Sequence, residues 1–240
     1  MSEPLRPHHK LTEDGRRIRE VLTYSRRGNR FTPRQAAVWE THHGRWVIPD
    51  EALDDPAFEW SSWFGRGAPM IVEIGSGVGE ATAVLAANRP DHDILALEVW
   101  RPGMADTMAR LANAGIDNVR LCGVDAVWTM EQRIAPGSLA ELWTFFPDPW
   151  HKLRHHKRRL VNPRFADVAA SRLEAGGVWR LATDWEDYAV KMVEVLDAEP
   201  SLAGGVVERW DERPVTRFER KGVAAGRSIT DLLYRRLPRA

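Results

Sequence analysis

Val72-Glu73-Ile74-Gly75-Ser76-Gly77-Val78-Gly79 is the stretch on which the fold turns. Met70–Ile74 is a short apolar run that stops at glycines, which predicts a buried strand. Glu80–Asn88 has helical spacing and ends before Pro90. A strand feeding a helix through three glycines predicts a tight backbone turn that a ligand can approach closely. Such loops occur in many nucleotide-binding folds, so the loop alone names no ligand. Two details narrow it. The spacing is GxGxG, not GxGxxG, and Glu73 lies within the strand just before the loop. A pyrophosphate gains nothing from a nearby carboxylate, whereas a cationic ligand does.

Working outward, strand and helix patterns alternate. Ile94–Val99 reads as a second strand, and Met104, Met108 and Leu111 fall at helical spacing before Gly115. Val119–Cys122 is a third strand, followed by a short helix near Val127–Ile134. Leu139–Phe146 is a fourth strand, stopped by Pro147. Pro163–Leu173 reads as a helix closed by Gly176-Gly177, with Val178–Ala182 as a fifth strand. Tyr188, Met192 and Val195 mark another helix, and Ile229–Arg236 a final strand. Strands separated by crossover helices predict a doubly wound, parallel α/β sheet with ligands at the carboxyl ends of the strands. Glu98 ends the second strand, 19 residues after Gly79, where a carboxylate can accept both hydroxyls of a ribose. Asp125-Ala126 follows the third strand, where a carboxylate can accept the exocyclic amine of adenine. One acid at each of the first three strands predicts S-adenosylmethionine as the cofactor. Its expected contacts are Glu73, Gly75, Gly77, Gly79, Glu98, Asp125 and Ala126. The plainer alternative is that Glu98 and Asp125 cap helices.

The fourth strand ends in Phe145-Phe146-Pro147-Asp148-Pro149-Trp150. Two prolines fix the backbone on either side of Asp148, so this acid is held in place. The run His151-Lys152-Leu153-Arg154-His155-His156-Lys157-Arg158-Arg159 follows at once and sets a polyanion beside the reacting centre. Arg154, Lys157, Arg158 and Arg159 are the candidate contacts to a nucleic-acid backbone.

Phe145–Arg159 closely resembles the signature of the bacterial tRNA (guanine-N7)-methyltransferases, which are class I S-adenosylmethionine-dependent methyltransferases. Val72–Gly79 with Glu98, Ala182-Thr183-Asp184-Trp185 and Arg213-Pro214-Val215-Thr216-Arg217-Phe218-Glu219 resemble that family too, so the resemblance runs roughly from residue 24 to 236. Arg217 stands where the family often has lysine, and the N-terminal arm and Glu51–Trp63 match poorly. The resemblance implies that Glu73, Glu98, Asp125 and Asp148 contact the cofactor or reacting centre, with Asp148 as the catalytic residue. It implies that Lys152, Asp184, Thr216, Arg217, Phe218 and Glu219 contact the target, a guanine of the tRNA variable loop. The expected fold is a Rossmann-like methyltransferase with a mostly parallel seven-stranded sheet and an antiparallel strand near the C-terminus. The chemistry agrees. Guanine N7 has a lone pair and no proton, so methylation needs positioning and carboxylates near the developing positive charge rather than a strong base. The base is expected to leave its stack.

The bulk properties fit this reading. A chain of 240 residues suits one large α/β domain, and 43% hydrophobic with 28% charged residues is ordinary for a globular protein. No apolar run approaches the roughly 20 residues that span a bilayer. Nor does the N-terminus show the apolar core of a secretion signal, so the cytoplasm is expected. The 34 basic and 34 acidic residues cancel, but they are segregated: Trp150–Arg164 holds six Lys/Arg, three His and no acid. Residues 1–40 read as a basic arm that can be disordered without a partner, and 41–240 as the methyltransferase domain. His151 and His155 have H-x3-H spacing, but no Cys or acid completes a ligand set nearby, so no metal is expected. Cys122 reads as packed in a strand. Asp184 can instead be a helix N-cap, Thr216 with Glu219 a capping box, and Trp150 a packing residue. The expected partner is tRNA, with no membrane, the chain acting as a monomer or homodimer. The competing readings are methylation of another RNA site or a small molecule, and a non-catalytic RNA-binding protein.

Overall fold

Residues along the central strands alternate between two separate cores, which sets the layering of the computed structural model; it describes residues 21–25 and 28–238. In chain order the elements are α1 (Pro33–Trp46), β1 (Val47–Ile48), α2 (Trp60–Phe64), β2 (Met70–Ile74), α3 (Glu80–Ala87), β3 (Asp93–Leu97), α4 (Arg101–Ala114), β4 (Val119–Cys122), α5 (Ala126–Gln132), β5 (Leu139–Phe145), α6 (Pro163–Arg172), β6 (Leu173–Thr183), α7 (Glu186–Asp197), β7 (Leu202–Val207), α8 (Arg217–Ala224) and β8 (Thr230–Arg236). Short 3₁₀ helices cover Asp50–Asp54 and Leu153–Arg158. Val72, Leu95 and Leu142 face the core under α5, α6 and α7, while Ile71, Ile94 and Trp143 face the core under α1, α3 and α4. Strands buried on both faces are what helical crossovers on both sides of a parallel sheet require.

The eight strands are ordered β1-β4-β3-β2-β5-β6-β8-β7. Every pairing from β1 to β6 is parallel, and β8 is antiparallel to both β6 and β7. The chain winds outward in both directions from β2 and β5, so the crevice beyond their carboxyl ends is the topological switch point. Seven strands form the expected sheet; the eighth, β1, is a two-residue addition on the β4 edge. β3 starts at Asp93, one residue earlier than the pattern predicts, because the buried Asp93 carboxylate is paired with Arg66 at 2.6 Å.

Three segments depart from the sequence reading. α1 crosses the arm boundary expected at residue 40: Thr32 and Gln35 form a reciprocal capping box, Pro33 fits the first turn, and Trp39 and Trp46 join the core against α4. Of the expected arm, residues 1–20 with 26 and 27 lie outside the described residues. Gly176-Gly177 do not close α6; they lie inside β6, opposite a register shift in β5, where a Cβ at Gly177 would stand 2.9 Å from the Leu139 carbonyl oxygen. β7 has no strand-like composition at Gly204-Gly205, yet it pairs with β8 so closely that a Cβ at Gly204 would meet the Leu233 oxygen at 2.0 Å.

Candidate active site

The carboxyl ends of β2 to β5 open into one cleft with about 920 Å³ of empty space, its open mouth included. That is the scale of an ordinary small-molecule site. Ile74, Leu97, Val124, Phe145 and Leu160 give it apolar walls, and Gly75, Gly77, Glu98 and Asp148 a polar side. Gly75, Gly77 and Gly79 have φ of 78°, 61° and 74°, a left-handed conformation that costs other residues about 1–2 kcal/mol. A Cβ at Gly75 would meet nothing within 4 Å, so this loop leaves open space on the cleft side. Helix α4 presses on the loop from behind: a Cβ at Gly103 would lie 2.2 Å from the Gly77 oxygen, and one at Gly79 2.6 Å from Thr107. Sequence reasoning missed Gly103, although a glycine inside a helix costs stability and signals a packing reason.

The three acids are placed differently. Glu98 lines the cleft, with Oε2 accepting the Gly77 N–H at 2.7 Å and Oε1 the Trp100 N–H at 2.8 Å. Asp125 N-caps α5 by accepting the Trp128 N–H at 2.9 Å and borders a neighbouring hollow, while Ala126 lines the cleft itself. Glu73 is buried and accepts the Thr82 hydroxyl at 2.6 Å. Burial pushes its pKa up to about 7, opposed by the Thr82 hydrogen bond and assisted by the charge of Glu98. Gly75, Gly77, Glu98, Ala126 and Asp148 therefore meet at the cleft, with Glu73, Gly79 and Asp125 behind that lining.

The turn after β5 carries backbone strain at both ends. Phe146 (φ 53°) and Trp150 (φ 48°) are left-handed non-glycine residues that bracket Pro147-Asp148-Pro149. Each costs about 1–3 kcal/mol and persists only where its surroundings enforce it. The Phe146 N–H donates to the Ala182 oxygen at 2.7 Å. Trp150 packs under the Arg158 guanidinium at 3.4 Å and donates Nε1–H to the Thr23 oxygen at 3.0 Å. Arg158 also donates to the Leu22 and Tyr24 carbonyls, and the Ser25 N–H donates to Asp148 Oδ2 at 2.8 Å. Thr23, Tyr24 and Ser25 thereby join the lining. Trp150 is a packing residue here. Lys152, Arg154 and Lys157 are exposed, whereas Arg159, expected on the nucleic-acid face, is only 3% exposed. It donates to the Pro149 carbonyl, pairs with Asp187 and covers the Tyr188 ring, so its charge is engaged inside the protein.

Asp184 follows β6 and is held by Arg227, which donates to Oδ2 at 2.8 Å. It caps no helix: Trp185 occupies the N-cap of α7 without a side-chain bond. Gly222 of α8 lies against Asp184, where a Cβ would meet Oδ2 at 2.7 Å. Thr216 N-caps α8 by accepting the Glu219 N–H at 3.3 Å. The Glu219 carboxylate turns inward to Arg213 (2.6 Å) and Arg209 (2.9 Å), so half of the capping box forms. Burial raises the Glu219 carboxyl, but Arg209 and Arg213 outweigh it and hold the pKa below the ordinary value. The Arg217 N–H donates to Glu80 of α3, and Phe218 lines the mouth of the cleft. Among the described residues, no three His, Cys, Asp or Glu side chains converge as a metal ligand set, and no helix is long and apolar enough to cross a membrane.

A switch point between β2 and β5, a left-handed glycine loop and a carboxylate after β3 define a Rossmann-like methyltransferase. Residues 67–232 match the family described as "Putative methyltransferase". The tRNA (guanine-N(7)-)-methyltransferase of a Nocardioides species is 68% identical, covering 97% of this chain and 94% of that protein. Those of Cutibacterium acnes (47% identical; 93% and 86% covered) and Paraburkholderia xenovorans (45%; 92% and 84%) are similar over nearly the whole chain. The chain belongs to the tRNA (guanine-N7)-methyltransferase family. The fold is shared with a crystal structure of the 16S rRNA (adenine(1408)-N(1))-methyltransferase of Catenulisporales acidiphilia (TM-score 0.53, 17% identity, 78% of this chain and 95% of that one). It is shared also with the 16S rRNA methyltransferase KamB (TM-score 0.53, 15% identity, 92% and 100%).

Proposed function

We propose that this chain transfers a methyl group from S-adenosylmethionine to N7 of a guanine in the tRNA variable loop, giving 7-methylguanosine. The observation that carries the reading is Asp148, held on a strained turn at the switch point and followed directly by exposed Lys152, Arg154 and Lys157. The cleft fits the cofactor: apolar walls suit an adenine, the oriented Glu98 carboxylate a ribose, and the open side of Gly75 a close-lying ligand. Bound there, S-adenosylmethionine supplies an electrophilic methyl group. Glu98, Gly75, Gly77 and Ala126 would hold it, with Asp125 and buried Glu73 as supporting acids.

The rest of the work falls to positioning and charge. N7 carries a lone pair and no proton, so no residue must act as a base at that atom. Asp148 and Asp184, after the adjacent strands β5 and β6, offer negative charge to the guanine ring as it becomes cationic. Asp148 accepts a hydrogen bond from Ser25 and Asp184 from Arg227, which keep both carboxylates oriented beforehand. Thr216, Arg217 and Phe218 lead into α8 at the cleft mouth and receive the nucleotide, while Lys152, Arg154 and Lys157 meet the phosphates. Arg158 and Arg159 act one step back, holding the turn, and Glu219 anchors α8. All of these groups come from one chain, so either a monomer or a homodimer can act. A cytoplasmic setting follows from the tRNA substrate.

The test is transfer of labelled methyl groups to unmodified tRNA with nucleoside analysis. We expect 7-methylguanosine; a different methylated nucleoside, or no transfer with cofactor bound, overturns the assignment.

A further inference from the structure

Arg213 lies at a junction that the reaction chemistry does not require but the cleft does. It is 1% exposed, among the largest fully buried side chains. Its guanidinium donates to Asp231 of β8 from Nη2, at 2.8 Å to Oδ2 and 3.1 Å to Oδ1, and from Nε, at 3.2 Å to Oδ1, while Nη1 donates to Glu219 of α8 at 2.6 Å. The carbonyl of Arg213 accepts from Arg209 at 2.6 Å, and Arg209 also reaches Glu219. The same guanidinium lies 5.3 Å from the ring centre of Phe146 and 5.7 Å from that of Phe145. Phe146 is the strained first residue of the turn that carries Asp148, and both Phe146 and Phe218 of α8 line the cleft.

We propose that Arg213 is a positioning residue that couples the Asp148 turn to the Thr216–Phe218 segment, so that the two walls receiving the guanine move as one. The geometry favours arginine over lysine. A planar fork satisfies two carboxylates and presents a flat face to an aromatic ring, whereas an ammonium satisfies charge at one point. The two acids fix the guanidinium, whose carbon lies 5.3 Å from the centre of the Phe146 ring, and the left-handed backbone of Phe146 needs such enforcement. Asp148 then inherits its position from a residue 65 places along the chain, through packing rather than a direct bond. This rests on the methyl-transfer reading above only for its kinetic arm.

Removing the arginine outright strips the buried Asp231 carboxylate of its guanidinium partner, leaves Glu219 to Arg209 alone and risks loss of folding, so the informative variants are Arg213→Lys, which keeps the charge, and Phe146→Leu, which removes the ring. For each we expect kcat to fall about tenfold, with the S-adenosylmethionine Kd and the KM for tRNA within about twofold of wild type. The Arg213→Lys/Phe146→Leu double variant should lose no more than the worse single one, because both break the same coupling. Losses that multiply in the double variant, or a KM increase in place of the kcat loss, overturn the proposal. Hydrogen–deuterium exchange supplies a readout without turnover: in Arg213→Lys the amides of Phe146, Asp148 and Trp150 should exchange faster together with those of α8. Faster exchange confined to α8 overturns the coupling, and it does so whatever nucleoside the enzyme makes.

Discussion

On the glycine-loop side of the cleft, functional groups are held by near neighbours. Thr82 reaches Glu73 across 9 positions, Trp128 reaches Asp125 across 3, and Gly77 reaches Glu98 across 21. On the side proposed to receive the substrate the spans are long: Ser25 to Asp148 crosses 123 positions, Arg158 to Tyr24 crosses 134, and Arg227 to Asp184 crosses 43. The first side is made of strand–turn–helix units whose loops carry their own partners. The second is assembled from the N-terminal segment, the turn after β5, the loop after β6 and the start of α8. On the proposed assignment, cofactor binding can therefore survive local damage elsewhere, whereas the wall proposed to face guanine depends on the whole tertiary arrangement.

The sharpest break between the two sides is Asp148→Ala. We expect turnover to fall about 10²–10³-fold, as when one preorganised charge-stabilising group is removed, with tRNA binding largely intact. Parallel methyl-transfer and filter-binding measurements check it, and unchanged turnover removes Asp148 from the mechanism. Next in size is a pH effect confined to the cofactor side. Glu73 has a folded pKa raised from 4.5 to about 7, so the fold favours its protonated form, and this contribution is lost as pH rises through about 7. The shift is equivalent to about 3 kcal/mol. Between pH 5 and pH 8 the melting temperature of wild type should therefore fall relative to Glu73→Gln, by several degrees at about 2–4 °C per kcal/mol. A constant gap across that range would show that Glu73 ionises normally. The smallest effect is that of Glu98→Ala. Losing a carboxylate hydrogen-bonded by Gly77 and Trp100 should weaken S-adenosylmethionine binding about tenfold, from about 1.5 kcal/mol. The KM for tRNA should not move. Calorimetry and steady-state kinetics together decide it; a matching change in tRNA KM would erase the distinction between the two sides.

How much was legible follows the same division. β2 and β4 match the predicted bounds residue for residue, because a short apolar run between glycines has one solution when both faces are buried. The places of Glu98, Asp148 and the glycine loop at the cleft were readable because each follows the carboxyl end of a strand. The inward turn of Arg159 was not: it follows from Asp187 and the Pro149 carbonyl lying beneath it, and the run of six basic and histidine residues from Arg154 to Arg159 looks alike on both sides of a chain. The helix at Pro33–Trp46 was hidden for another reason, since its basic and histidine-rich surface outweighs the few aromatic residues that reach the core.

The sequence by itself determined the α/β alternation, the left-handed glycine turn and the acids that close the first strands, because local sterics and two-sided burial leave few alternatives. Only the tertiary structure decided which arginines of the basic segments face outward and which turn in against the fold. A guanidinium's direction depends on the carboxylates, carbonyls and rings that distant segments bring against it, and for Arg158, Arg159 and Arg213 those partners belong to other elements of the fold.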